Sequence, residues 1–222
     1  MHDNSKGLII TTLGVLCVVP DSLFVRLIET EPMTIAFWRG LTAGLVVLAF
    51  VLGTQGVKAF ARLRRTGWSG AIYVLLIGST SPAFVLAITQ TSVANAVFIF
   101  ASMPMFAAIW SRVLLNEPVS KRFAATMGVV LCGLAVIAYG AGETEQVSWK
   151  GDIWALYVAC AYAAALTAVR RMKEISMVPA VSIAYLGAAT VIALLYPLAG
   201  DLWIIGRYFL VTAFSSVVPP VF

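Results

Sequence analysis

The chain has 222 residues, of which 61% are hydrophobic and only 11% charged; its net charge is +5 and its mean hydropathy +0.95. Soluble domains run about 45–50% apolar and about 25% charged, so this composition excludes a water-soluble globule, a disordered chain and a disulfide scaffold. In a chain dissolved in lipid, the basic excess reads as cytoplasmic loop charge, and nucleic acid is not an expected partner.

Eight apolar runs follow one another along the chain. The first, Leu8–Ile28, carries Pro20 and Asp21; it lacks the basic start and small-residue cleavage site of a signal peptide and reads as a spanning helix. Met33–Leu52 contains Trp38, Arg39 and a Gly40–Gly44 pair at the spacing that lets membrane helices approach closely. The basic stretch Lys58 to Arg65 is predicted to be a solvated loop facing phospholipid headgroups. Trp68–Ile88 holds Ser79, Thr80, Ser81 and Pro82 near mid-span, with Pro82 expected to interrupt the helix. In Val93–Leu115, Asn95 and Ser102 lie seven residues apart on one stripe, and Pro104 is expected to break the helix near its middle. Glu117 follows, and it is expected to form a structural charge cluster with Arg112, Lys121 and Arg122. The remaining runs are Phe123–Tyr139, Ile153–Val169 with an Ala155, Ala159, Ala163 stripe, Val178–Leu198 with Tyr185, and Leu202–Phe222. Spans must satisfy their own backbone hydrogen bonds, so these are helices; the period-two alternation of a barrel is absent.

With the amino terminus inside, eleven of the fifteen basic residues fall at or beyond the cytoplasmic ends of the runs, three fall toward the opposite side, and only Arg39 is left well within a span. The positive-inside rule therefore predicts a cytoplasmic amino terminus. Weak matches recur in collinear order, Lys6-Gly7 with Lys150-Gly151, Trp38 and Gly40 with Tyr185 and Gly187, Trp68 with Trp203. They divide the chain into a first repeat of five helices, residues 1–142, and a second, residues 143–222, holding three. Five is odd, so the second copy must cross in the opposite sense, the inverted arrangement of many secondary transporters. The second copy stops short by roughly sixty residues, enough for two more helices, which predicts a functional protein of about 280 residues and an inactive shorter chain. The expected fold class is thus an all-α polytopic membrane bundle of inverted five-helix repeats.

The stretches PDSLFVRLIETEPMTIAFWRG and SVANAVFIFASMPMFAAIWSRVLLNEPVS resemble the EamA-type transporters of the drug/metabolite transporter superfamily. The features shared are the FWRG entry to the second helix, the Asn-Ala start of the fourth with Pro104 inside it, and its Leu-Asn-Glu-Pro ending. The resemblance implies ten helices in two inverted repeats, and export of amino acids, metabolites or drug-like solutes.

Asp21 and Arg39 are the most informative pair. Both fall about 10 Å below the same membrane surface on consecutive helices, and ionisable groups at such depth face a cavity or a partner. They fit an ion pair that ties a hairpin together, charges that handle substrate or protons, or side chains that snorkel to water; their counterparts in the second repeat, Ala165 and Leu186, are apolar. Trp38 and Tyr185 are candidate aromatic walls, and Asn95 and Ser102 candidate polar contacts. The expected substrate-binding set is Asp21, Trp38, Arg39, Asn95, Ser102 and Tyr185. Catalytic residues, cofactors and metals are not expected: the one histidine is His2, the three cysteines lie far apart as packing residues, and no GxGD, P-loop or GxGxxG occurs. The expected partners are a small-molecule substrate and the lipid bilayer, with ion coupling and homodimerisation left open. A secondary transporter of the cell inner membrane is the leading reading; a non-transporting or degraded membrane homologue is the alternative, and an intramembrane enzyme is disfavoured.

Overall fold

The computed structural model describes residues 30–64, 66–118, 120–140, 149–170, 176–198 and 206. The described elements are all helical, and five stretches are long and apolar enough to cross a membrane: Pro32–Thr54, Gly67–Gln90, Phe98–Leu115, Trp149–Arg170 and Val178–Leu195. The predicted spans Leu8–Ile28 and Leu202–Phe222 lie outside the described residues, apart from Gly206. In chain order the helices are α1 (Pro32–Thr54), α2 (Lys58–Arg64), α3 (Gly67–Gln90), α4 (Val93–Ala101), α5 (Met103–Leu115), α6 (Lys121–Gly140), α7 (Trp149–Arg170) and α8 (Val178–Leu195).

Local chemistry sets the helix ends. Proline opens α1, α5 and α8, where its missing N–H costs nothing because first-turn amides have no intrahelical acceptor. Ser92 caps α4 by accepting from the Asn95 amide at 3.1 Å. The α5 helix stops at Asn116, which takes the left-handed conformation (φ 54°) and returns its amide to Ser111 O.

Two compact units form, Met1–Gly67 with Ser176–Phe222, and Trp68–Ile175. Each draws helices from both sequence halves. In the first unit, α1 and α8 pack antiparallel. Gly40 lies so close to α8 that a Cβ there would come 3.2 Å from Tyr185 O, and one on Gly44 would come 2.8 Å from Leu186 Cγ. This is the close approach that the glycine spacing predicted. Lipid tails are as apolar as leucine, so such contacts stabilise through van der Waals fit rather than through the hydrophobic effect. Further along the pair, Val47 and Val51 of α1 form a core with Ala59, against which Phe60, Val178 and Val181 pack.

That core corrects one expectation. The segment predicted as a solvated loop is the helix α2 over Lys58–Arg64, with Ala59 and Leu63 buried. The charges of the segment suggest a loop, but two apolar side chains four positions apart share one helical face and bury it.

In the second unit α3 and α7 are antiparallel, with Ser79 beside Tyr157 and Thr91 beside Asp152. The α4–α5 segment runs parallel to α7, linked by Trp110 Nε1–H to Cys160 O at 3.2 Å. The alanine stripe of α7 packs as expected: Ala155, Ala159 and Ala163 are fully buried. Pro82 does not interrupt α3, which continues from Gly67 to Gln90; the adjacent hydroxyls of Ser79 and Thr80 bond to Leu76 O and Ile77 O and help hold the turn. The fourth predicted span, by contrast, does break, with Ser102 standing between α4 and α5 one residue before the Met103-Pro104 pair. Of the three predicted packing cysteines, Cys132 is exposed on α6, Cys160 is partly buried, and Cys17 lies outside the described residues.

Candidate functional site

The sequence-predicted site residues fall into separate groups. Asp21 lies outside the described residues. Trp38, Arg39 and Tyr185 belong to the packed α1–α8 pair, and all three are half-buried. Trp38 is held from several directions. Its ring meets Phe37 edge-on with centroids 5.4 Å apart, and its carbonyl accepts from Thr42 Oγ1 at 2.7 Å. Gly206 lies against the indole so closely that a Cβ there would come 3.0 Å from Trp38 Cζ3. The indole nitrogen is buried and has no hydrogen-bond partner among the described residues. Indole offers a donor and no acceptor, and a buried donor left unmade costs about 1–3 kcal/mol. An acceptor on a bound solute would recover that cost. Gly206 was not among the expected residues, and nothing in the spacing of the last apolar run marks it.

Tyr185 contributes its backbone to the helix contact, its carbonyl facing Gly40. Gly187, aligned with Gly40 in the proposed repeat, has open space where a Cβ would stand. The tight approach therefore occurs at one of the two aligned glycines.

Asn95 and Ser102 stand at opposite ends of α4 in the second unit. The Asn95 amide is taken up by the Ser92 cap, and Ser102 returns its hydroxyl to Ile99 O at 2.5 Å. Ser102 also supplies the carbonyl that accepts from Met105 N at 2.9 Å and Phe106 N at 3.3 Å. It acts as the joint between the two helices. The Tyr157 hydroxyl of α7 donates to Ser79 Oγ of α3 at 2.7 Å, whereas Ser81 Oγ of α3 is buried with no partner among the described residues. The Gly78 carbonyl, facing the ring of Pro82, lacks the amide that would ordinarily reach it.

Two polar ties close the ends of the second unit. At one end Thr91 Oγ1 donates to Asp152 Oδ1 at 2.7 Å, where Gly151 meets the Gln90–Thr91 backbone. At the other, Arg170 pairs with Glu117 at 3.3 Å and donates to Ser111 Oγ at 3.1 Å. The charge cluster expected around Glu117 thus has a different cation, Arg170 from α7, because helix packing brings together ends that are far apart in sequence. Among the described residues no group of three His, Cys, Asp or Glu side chains could hold a metal ion.

A multi-pass helical membrane protein with polar and aromatic groups placed within its spans is the class these features define. The EamA-like transporter family model matches residues 5–139, more than half of the chain, and the chain belongs to that family. It is 28% identical over 143 residues to the uncharacterized transporter YyaM of Bacillus subtilis (strain 168), a match covering 57% of this chain. The match spans 45% of that relative's length. A crystal structure of another protein superposes with a TM-score of 0.67 over 97% of this chain and 79% of its own, at 17% identity; that likeness speaks to the fold alone.

Proposed function

We propose that the protein is a secondary transporter of the inner membrane that exports a small metabolite, an amino acid or a drug-like solute. The observation that carries the reading is the family match over residues 5–139. Within it, Trp38 and Arg39 support solute binding: a buried indole donor with no partner among the described residues adjoins a basic residue placed well inside a predicted span, away from its ends. The same proposal includes inverted repeats over residues 1–142 and 143–222 and a cytoplasmic amino terminus, for which the loop charge asymmetry argues. Asp21, Asn95, Ser102 and Tyr185 complete the proposed binding set.

The test is solute flux in reconstituted vesicles, using the protein as its own gene encodes it and a panel of amino acids, metabolites and drug-like solutes. Imposed pH and sodium gradients identify the coupling ion. Asp21→Asn and Arg39→Gln should each lower folded yield, because an unpaired charge in a low-dielectric span costs several kcal/mol. The double change should fold and remain inactive, since apolar Ala165 and Leu186 hold the aligned positions and argue against a purely architectural pair. Full transport by a well-folded double mutant would remove both charges from the mechanism. A wild-type protein that folds and moves none of the panel supports a non-transporting homologue instead.

A further inference from the structure

The helix α2 divides its seven residues between two environments. Ala59 and Leu63 are buried, and Ala59 with Phe60 joins the core made by Val47 and Val51 of α1 and by Val178 and Val181 of α8. Around the rest of the helix, Lys58, Ala61, Arg62 and Arg64 are exposed. At 100° per residue, Lys58 and Arg62 stand side by side on one flank and Arg64 on the other, so cations border the buried stripe on both edges. Val57, which leads into the helix, is 73% exposed. No acidic residue occurs in the sequence between Glu31 and Glu117. None of the three cations forms an ion pair among the described residues.

The segment lies in the short connection between two stretches that each qualify as membrane spans, Pro32–Thr54 and Gly67–Gln90. A connection of that length cannot carry α2 far from the membrane surface. There, the field of anionic lipids attracts basic side chains, and a helix with apolar residues on one face and cations on the other lies in the headgroup layer. Here the apolar face is occupied by the protein's own core, which fixes the helix in place and presents its cations as a preformed group.

We propose that α2 is a binding site for anionic phospholipid headgroups, held by Lys58, Arg62 and Arg64 and seated on the α1–α8 core. Engagement of the outer face then stabilises the core beneath it, because a ligand that binds only the folded state raises its stability. The proposal is independent of transport.

The test uses purified protein in a neutral detergent, titrated with phosphatidylglycerol, phosphatidylcholine or inorganic phosphate. Bound lipid is read by native mass spectrometry and stability by thermal unfolding. Phosphatidylglycerol should bind and raise the unfolding midpoint, and neither of the other two should. The triple variant K58Q/R62Q/R64Q should bind phosphatidylglycerol more weakly by on the order of a hundredfold, from roughly fivefold per cation. Its unfolding midpoint in phosphatidylcholine should stay at the wild-type value. Ala61→Glu is the second variant: it leaves all three cations in place, sets a carboxylate among them on an exposed position, and should reduce the phosphatidylglycerol shift while the protein folds normally. An undiminished shift in either folded variant would overturn the proposal. So would an equal shift with inorganic phosphate, which would mark a free-anion site.

Discussion

At the scale of single residues, glycine has two meanings in this protein. Gly151 sits where α7 crosses the end of α3, and a Cβ there would lie 2.6 Å from the Gln90 backbone carbon and 2.7 Å from Thr91 N. Neither atom can swing aside as a flexible side chain would. Gly151→Ala should therefore destabilise the protein by about 1–3 kcal/mol, even though alanine favours the helix. The Thr91–Asp152 hydrogen bond beside it should loosen as well. On α6, Gly128 and Gly133 have open space in the same direction. Alanine at either should be neutral or stabilise by up to about 1 kcal/mol through helix propensity alone. Thermal unfolding of the three variants in one detergent makes the comparison, and a Gly151→Ala midpoint at or above the other two would contradict the packing argument.

Among the elements, two prolines with the same covalent constraint have different consequences. Pro82 lies inside an unbroken α3, where it deletes an amide and presses its ring against the preceding turn. Pro104 stands in the first turn of α5, just past the Ser102 joint, where an amide would have no helical acceptor in any case. An interior proline costs up to about 3 kcal/mol relative to alanine, and a first-turn proline far less. Pro82→Ala should accordingly raise the unfolding midpoint more than Pro104→Ala does. Equal or reversed shifts would mean that the α4–α5 break is imposed by Pro104 against the preference of the rest of the segment. The Glu117–Arg170 tie belongs to this scale too: both side chains are about half exposed, so it serves as a link between α5 and α7 worth at most about 1 kcal/mol.

For the whole molecule, the decisive quantity is the side of the membrane on which each loop lies. Eleven basic residues against three is a large asymmetry, and the proposed orientation sets Lys58 inside and the 140–149 connection outside. Single cysteines at Lys58 and Thr144, introduced after the native cysteines are replaced by serine, should report this with an impermeant thiol reagent in intact cells. Labelling is expected at position 144 and not at position 58. The opposite pattern would invert the topology. Because α1 and α8 pack antiparallel, the orientation of either helix fixes that of the other.

Much of this protein was legible in its residues because membrane insertion acts on local composition. A span needs only a long enough apolar run, so the runs predicted over 33–52, 68–88, 153–169 and 178–198 reappear as helices within a few residues at each end. Family membership was readable for a similar reason, since the FWRG and Leu-Asn-Glu-Pro segments are local patterns. Helix contacts are not local, and only the tertiary structure decided them. Gly40 and Gly187 are alike in sequence context, yet one meets a neighbouring helix and the other open space. Glu117 finds its cation on α7 rather than among its sequence neighbours, and Trp38 is pressed by a glycine 168 positions away. The basic connection after α1 folds as a helix because Ala59 and Phe60 find a core in Val47, Val51, Val178 and Val181, with Leu63 buried on the same helical face as Ala59. Apolarity drives each segment into the bilayer; once all are there, apolarity no longer distinguishes one neighbour from another, and the fit of surfaces chooses the partners.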